Sequence, residues 1–397
     1  MRRLDLVFWI SLVVIIAVYT YYTVTTFAFI NSYISDEAYY PASAYNILDY
    51  VFHVQPRLIS PWTPANVTNY VNQEHPPLAK YIMGVFELAF GYQFVVFRTP
   101  SWVLGDLLLV VVALTVRKLI GTEPWASVFG VAGAAVAALD PILWVLHGVA
   151  MLEIYVAFFS ITAFYFLVTD RPLLASIFLG LAFSAKESSY FLLLPFLFYT
   201  TYWFKDVTRR VLYGIVIPIA VYLILAVPIM VYFGGPYGWL QHSILHEVSW
   251  DLTSGHIPTG ATNQVSEPWE WFFNVHPFYM GTYDAPSGKV NLYAATSPPI
   301  LLAWIPISIL NLAFVRNLKL SVITASGWIA WASFVLVYLG GNTTLFSFYV
   351  ADFEPFVVVT VVAGAYMIAR KAIDLFESRR AVHEGQEGGD NGGGKGQ

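Results

Sequence analysis

Long apolar segments recur along almost the whole chain, and they constrain its fold more than any other feature. Ten of them can be marked, at 6–29, 99–116, 126–144, 152–169, 172–185, 189–204, 211–233, 297–315, 320–339 and 346–369. A single helix needs about 20 apolar residues to cross a bilayer. Because only 11% of the residues are charged, against about a quarter in soluble proteins, lipid must solvate most of this surface. The sequence therefore predicts an all-α polytopic membrane protein with about ten transmembrane helices in one domain, residues 1–380.

The distribution of basic residues predicts the orientation of these helices. With the N-terminus in the cytoplasm, 15 of the 20 Lys and Arg residues lie on the cytoplasmic side, as the positive-inside rule requires. The first apolar segment is longer than the core of a signal peptide and lacks a small-residue cleavage site, so we expect it to remain as the first helix. Both termini are therefore predicted to be cytoplasmic, with the protein in the cell membrane.

Two long connections, residues 31–98 and 234–296, are then extracytoplasmic. Both are rich in Trp, Tyr and Pro, which is typical of segments at a membrane interface. The segment 78–97 is apolar enough to form an interfacial or re-entrant helix. The tail 381–397 is Gly-rich and polar, and it is predicted to be disordered in the cytoplasm.

Composition excludes several classes of partner and chemistry. No basic patch with interleaved aromatic residues is present, so a nucleic-acid partner is not expected. The chain has no cysteine, which excludes disulfides, thiol catalysis and Cys-ligated metal sites. No internal repeat is visible, which argues against a transporter built from inverted halves.

Two acidic residues, Asp36 and Glu37, follow the first predicted helix directly. A carboxylate beside the outer membrane surface can act as a general base on a hydroxyl while its neighbour orients a substrate. A solvated acidic pair at a helix end would have the same sequence. On these residues alone, both interpretations stay open.

A second cluster of polar residues surrounds the prolines that follow His75. Two prolines fix the backbone and separate one helix from the next, which places Glu74, His75 and Lys80 at the mouth of an interfacial helix. Arg98 stands at the entry to the second membrane helix, where a guanidinium can bind a phosphate at the membrane surface. A capped loop and a snorkelling arginine are the alternative interpretations.

Ionisable residues also lie within or beside the apolar segments. Glu153 and the pair Lys186–Glu187 are examples, and such groups are functional candidates because their burial in a membrane is costly. Lys186 and Glu187 could equally pair with each other or with a neighbouring helix.

The second long connection contains several histidines. His242 and His246 are four residues apart, with Glu247 adjacent and His256 following. This spacing could place two imidazoles on one helical face as metal ligands. Hydrogen bonds from interfacial histidines to lipid phosphate or sugar are the favoured interpretation.

Taken in order, these motifs resemble the protein O-mannosyltransferase family, a GT-C type group of glycosyltransferases that use dolichyl-phosphate mannose. The resemblance spans about residues 5 to 370 and implies a GT-C fold with two long outer loops that contain interfacial helices. It rests on Asp36-Glu37, His75-Pro76-Pro77-Leu78 with Lys80, Arg98, Met151-Leu152-Glu153, Lys186, His246, His256, Glu267-Pro268-Trp269-Glu270-Trp271 and His276-Pro277-Phe278-Tyr279.

The resemblance implies an inverting glycosyltransferase of a prokaryotic type. It would move a sugar, mannose in this family, from a polyprenyl- or dolichyl-phosphate donor to Ser or Thr hydroxyls of a protein. No cofactor is implied, whereas metal dependence and a dimeric state stay open. Asp36 would be the base, Glu37 or Glu74 would hold sugar or acceptor, Arg98, Lys186 and His75 would neutralise the phosphate, Lys80 and Glu153 would complete the donor site, and His246, His256, Trp269 and Trp271 would contact the acceptor.

Two other functions fit parts of the same pattern. The sugar could pass to a lipid or glycan, as in the aminoarabinose-type relatives, because acceptor choice depends on loop shape. A transporter or channel would use Lys186, Glu187, Asp106 and Asp352 as a polar pathway. The oligosaccharyltransferase subunits share the GT-C plan, but the chain has no Trp-Trp-Asp motif.

Overall fold

The computed structural model describes residues 3–59, 64, 69–253, 264–286 and 288–390. Within these ranges the chain is helical apart from one antiparallel pair of strands, β1 (Phe278–Ala285) and β2 (Gly288–Ala294). The helices are α1 (Arg3–Phe27), α2 (Tyr40–Asn46), α3 (Leu78–Phe90), α4 (Phe94–Ile120), α5 (Trp125–Leu139), α6 (Pro141–Gly148), α7 (Glu153–Val168), α8 (Pro172–Ala185), α9 (Leu193–Trp203), α10 (Val207–Val211), α11 (Ile217–Tyr232), α12 (Pro236–His242), α13 (Ile244–Thr253), α14 (Pro298–Leu310), α15 (Leu318–Leu339) and α16 (Glu354–Asp390). Short 3₁₀ turns lie at Ser35–Ala38, Glu187–Leu192, Glu270–Phe273 and Ser347–Asp352.

Several helices are long and apolar enough to cross a membrane. In the described part of the chain there are five by length and composition, or six if the bent pair α5–α6 forms one span. Three of them, Leu4–Phe27, Val207–Tyr232 and Pro298–Val315, have fewer than a third of their residues buried, so they present apolar side chains to lipid. These helices confirm the predicted all-α multi-pass fold, while the number of ten spans stays a prediction. The five helices that are long enough are Leu4–Phe27, Val207–Tyr232, Pro298–Val315, Leu318–Leu339 and Glu354–Arg380.

Helix α7 forms the centre of the bundle. Nearly all of its residues are buried, and it packs against α4 and α8. A helix that is apolar on every side gains most when other helices surround it. The N-terminal end of α7 therefore carries Glu153 into the interior of the protein, where the helix begins.

The apolar segment predicted at 126–144 is bent rather than continuous. Helices α5 and α6 meet at an angle of 67°. Pro141 cannot continue α5, because it has no backbone N–H to donate to the preceding turn. It is well suited to the first turn of α6, where that N–H is not needed. The Asp140 carboxylate caps that turn and accepts the backbone N–H groups of Ile142 at 3.0 Å and Leu143 at 3.1 Å.

The two long connections are more structured than the sequence predicted. The single helix expected over 78–97 is divided, because α3 ends before Gly91, whose φ of +86° favours glycine, and α4 begins at Phe94. The second connection contains helices α12 and α13. It also contains the β1–β2 pair, and these strands were not predicted. Helix α16 continues to Asp390, into the segment predicted to be a tail, and residues 391–397 lie outside the described ranges.

Candidate active site

A cavity of about 640 Å³ lies between the loop before α3, the start of the turn after α8, and helices α13 and α15. Its volume is within the range of roughly 300–1,000 Å³ that is usual for small-molecule sites. Part of the wall is apolar and includes Phe334, Val337 and Phe346. The polar part of the wall includes Asp36, Tyr40, Tyr70, Asn72, Glu74, His75, Lys186, Glu187, Ser188, Glu247 and Tyr349.

The Asp36 carboxylate lies in this wall, on the 3₁₀ turn that follows α1. It is half-buried and accepts a long hydrogen bond of 3.4 Å from the Tyr40 hydroxyl. Burial, and then the nearby Glu153 carboxylate, raise the pKa of Asp36 to about 6, against the opposing effects of Lys186 and His75. An aspartate with this pKa is more basic than usual and is still ionised at neutral pH, as a general base requires.

Glu37 does not face the cavity, because its carboxylate binds Arg98. The Arg98 Nε lies 2.8 Å from Glu37 Oε1 and its Nη2 lies 2.6 Å from Oε2, with both side chains fully buried. The three remaining N–H groups of Arg98 donate to backbone carbonyls, so all five donors are used. The structure therefore does not bring the predicted substrate contact Glu37 or the predicted phosphate contact Arg98 to the cavity wall. The carbonyls are those of Phe27, Ile30 and Ser32.

Lys186 is the cation that does reach the cavity. Its Nζ lies 2.6 Å from Glu153 Oε1 and 4.2 Å from the centre of the Tyr349 ring. Burial opposes the charge, but the carboxylates around it, Glu153 first, raise the pKa of Lys186 well above its usual value. Glu153 itself is fully buried and does not line the cavity. Its contact with Lys186 fixes the position of the ammonium.

Lys80 orders the loop that precedes α3. Its ammonium donates to the backbone oxygens of Asn72 and His75 and to the Asn72 side chain, at 2.7 Å for His75 and 3.1 Å for Asn72 Oδ1. These contacts use its three N–H groups and leave the side chain 1% exposed. Lys80, predicted to complete the donor site, therefore lies behind the cavity wall and not in it. The loop instead presents Glu74, which accepts a 3.0 Å hydrogen bond from Tyr70, and His75 to the cavity.

His75 lies beside two carboxylates, Glu187 and Glu247, to which the O-mannosyltransferase resemblance assigned no role. Its Nδ1 lies 2.9 Å from Glu187 Oε2, and one ligand atom from each of His75, Glu187 and Glu247 lies within 4.8 Å of the others. In the sequence, the charged or ionisable neighbours Lys186 and His246 draw attention to Glu187 and Glu247. No sequence motif singles out the tyrosines of the wall as site residues.

Of the predicted acceptor contacts, the three that the structure describes do not line the cavity. His246 is exposed on α13, where its neighbour Glu247 takes the inward position. Trp271 is 1% exposed and donates to the Ser266 hydroxyl at 2.9 Å, so it belongs to the core. Trp269 is 41% exposed and packs edge-on against Tyr338. His256 lies outside the described residues.

The polar pathway expected of a transporter is divided between separate networks. Asp352 accepts a hydrogen bond of 2.7 Å from Ser188 beside the cavity. Asp106 instead accepts one of 2.8 Å from Thr20, and lies 3.5 Å from His147. Neither of these aspartates is part of the cavity wall.

No family model and no curated protein sequence matches the chain, but solved structures do. ArnT from Cupriavidus metallidurans bound to undecaprenyl phosphate is 14% identical, with a TM-score of 0.55 over 92% of this chain and 62% of that one. The archaeal oligosaccharyltransferase AglB from Archaeoglobus fulgidus, in complex with an inhibitory peptide and a dolichol-phosphate, is 12% identical, with a TM-score of 0.52 over 97% and 52%.

The protein O-mannosyltransferase complex Pmt1–Pmt2 of S. cerevisiae, bound to the sugar donor, is 17% identical over 65% of this chain and 36% of that one. Its TM-score of 0.38 is too low to support the predicted subtype. The chain spans about three-fifths of ArnT and half of AglB. At these identities the similarity concerns the fold, and the fold of this membrane protein is of the GT-C glycosyltransferase type.

Proposed function

We propose that the protein is an inverting glycosyltransferase that moves a sugar from a polyprenyl-phosphate donor to a hydroxyl group on the extracytoplasmic face. The observation that carries this proposal is that a carboxylate of raised basicity, Asp36, and a buried cation, Lys186, line one cavity of a GT-C fold. The similar ArnT and AglB structures each hold a polyprenyl phosphate, which supports a lipid-linked donor.

In the proposed reaction, Asp36 takes the proton of the acceptor hydroxyl as its oxygen attacks the anomeric carbon. The bond from that carbon to the phosphate oxygen breaks in the same step, and the lipid phosphate leaves with the bonding electrons. Inversion at carbon follows from a single displacement. The reaction needs one base and one group that stabilises the departing phosphate.

Lys186 is the residue of the wall best suited to that phosphate. Its ammonium has one carboxylate partner, Glu153, which keeps it charged and fixed in position while N–H donors remain for a ligand. A fixed cation that meets charge developing on a leaving group lowers the barrier more than a mobile one, because it needs no reorganisation. Glu74 and Tyr70, which are joined by a hydrogen bond in the same wall, are placed to bind sugar hydroxyls.

Mannose as the sugar and Ser or Thr of a protein as the acceptor follow from the O-mannosyltransferase resemblance, and we include them in the proposal. The test is transfer of radiolabel from dolichyl-phosphate mannose to a Ser/Thr-rich peptide by the full chain in detergent. We expect acid-stable label on the peptide. Asp36→Asn should lower the rate by about 10²-fold or more, whereas Asp284→Asn, an exposed aspartate on β1, should not change it.

Each outcome distinguishes one part of the proposal. If the Asp36→Asn variant transfers label at the full rate, the assignment of Asp36 as the base is overturned. Label that appears on lipid or glycan, but not on peptide, would replace the protein acceptor with the aminoarabinose-type alternative. The absence of transfer and of binding for several polyprenyl-phosphate sugars would refute the proposed function.

A further inference from the structure

Three potential metal ligands converge in the cavity wall from distant parts of the chain. His75 comes from the loop before α3, Glu187 from the turn after α8, and Glu247 from α13. All three are half-buried. Because they come from three separate segments, their proximity is a property of the tertiary fold and not of local sequence.

Their spacing fits the first coordination shell of one cation. Two ligands of the same ion cannot lie further apart than twice the metal–ligand distance, which is about 4.0–4.8 Å for bonds of roughly 2.0–2.4 Å. One ligand atom from each of the three residues lies within 4.8 Å of the other two. His75 Nδ1 and Glu187 Oε2 lie 2.9 Å apart, which is close to the separation of adjacent ligands of one ion.

We propose that His75, Glu187 and Glu247 bind one divalent transition-metal ion in the wall of the cavity. An imidazole nitrogen suits Zn²⁺, whereas carboxylate oxygens also suit Mn²⁺. The two carboxylates balance the charge of the ion. Three protein ligands leave at least one coordination position for water or another ligand, and the site faces the cavity.

The neighbouring ammonium groups do not occupy this site. Lys186 is adjacent to Glu187 in sequence, but its Nζ is bound to Glu153. Lys80 is held by the backbone and side-chain oxygens of the Asn72–His75 loop. Of the other charged or ionisable neighbours, Glu74 accepts from Tyr70 and His246 is exposed.

Such an ion would attach α13 to the rest of the protein. Much of the helix is exposed, including Leu245, Val248, Trp250 and Leu252, and Glu247 is its ionisable residue in the cavity wall. An ion bound jointly by Glu247, His75 and Glu187 would hold this helix over the cavity. Binding of the ion does not require the proposed transfer reaction, so the two proposals can fail separately.

The test measures metal binding by the full chain in detergent after removal of metal with a chelator. Zn²⁺ and Mn²⁺ are titrated separately by calorimetry, and bound metal is counted by mass spectrometry after gel filtration. We expect one equivalent of one of these ions. Glu187→Gln and Glu247→Gln should each weaken binding by at least about tenfold, because each removes one of three ligands.

Two matched variants serve as controls. His246→Asn removes the imidazole next to Glu247, and Glu74→Gln removes a carboxylate of the same wall; both should bind the ion as the unchanged chain does. Co²⁺ absorption of the unchanged chain provides a second measurement that needs no variant, since nitrogen and oxygen ligation gives visible bands. The absence of a bound equivalent, or binding that both glutamine variants retain, would overturn the proposal.

Discussion

The Arg98 guanidinium and the Glu37 carboxylate form two parallel hydrogen bonds, at 2.8 and 2.6 Å, with neither side chain exposed. Glu37 also accepts the backbone N–H groups of Ile34 and Ala150, at 2.9 and 2.8 Å. The pair thus connects the end of α1, the start of α4 and the segment between α6 and α7. It holds the turn that carries Asp36 and leaves the neighbouring carboxylate free to face the cavity.

Removal of either member of this pair should destabilise the fold. In Arg98→Met the Glu37 carboxylate stays buried without its cation, which costs about 3–5 kcal/mol for a buried ion pair. We expect a large fall in thermal stability in detergent, followed by fluorescence. The double variant Arg98→Met/Glu37→Leu should be more stable than Arg98→Met alone, because no unpaired charge remains. A single variant as stable as the unchanged chain would contradict the structural role.

Lys80→Met tests the loop that presents His75 and Glu74. The substitution leaves the Asn72 and His75 carbonyls without their buried donor, at a cost of about 1–3 kcal/mol for an unsatisfied group. The stability of the protein, measured by thermal unfolding, should fall accordingly. Lys289→Met, on the exposed face of β2, is the matched control. Equal stability of both variants would show that the loop is ordered by other contacts.

The sequence predicts the membrane fold well, because apolar length is a local property. The marked segments overlap helices, and the structure places Asp36, Glu74, His75 and Lys186 in the wall of one cavity. The strands β1 and β2 were missed because their alternation is short or interrupted. In β2 only Val290, Leu292 and Ala294 alternate with exposed residues, and in β1 a bulge between Tyr279 and Gly281 breaks the pattern.

The division of roles within the site could not be predicted from the sequence. Asp36 and Glu37 are adjacent, but a 3₁₀ turn has about three residues per turn, so neighbouring side chains point roughly 120° apart. One therefore faces the cavity and the other the core. Arg98 and Lys186 are both suitable for phosphate by chemistry alone. Which cation remains accessible depends on the backbone carbonyls and carboxylates that surround each one in three dimensions.

Lys186→Met should weaken the binding of a polyprenyl phosphate. A hydrogen bond to a charged group contributes about 1.5–3 kcal/mol, which corresponds to a loss of roughly tenfold to hundredfold in affinity. The measurement is the dissociation constant for undecaprenyl phosphate in detergent, with Lys289→Met as the control. Glu153→Gln removes the carboxylate that positions the ammonium but keeps the ammonium itself, so its effect should be smaller. Unchanged affinity in Lys186→Met would exclude a phosphate contact.

The pH dependence of transfer tests Asp36 as the base. The pKa of Asp36 is raised to about 6, so at pH 5 most of the carboxylate is protonated and cannot accept the hydroxyl proton. The rate should therefore rise with pH and level off above about pH 6–7. Burial and then Glu153 raise this pKa, whereas Lys186, His75 and Tyr40 lower it. In Tyr40→Phe, which removes the hydroxyl that donates to Asp36, the midpoint should move to higher pH.

The rate is measured at saturating donor in the unchanged chain, in Tyr40→Phe and in the control Asp284→Asn. A midpoint that Tyr40→Phe leaves in place, or a rate that falls as pH rises from 5 to 7, would assign the titrating group to another residue.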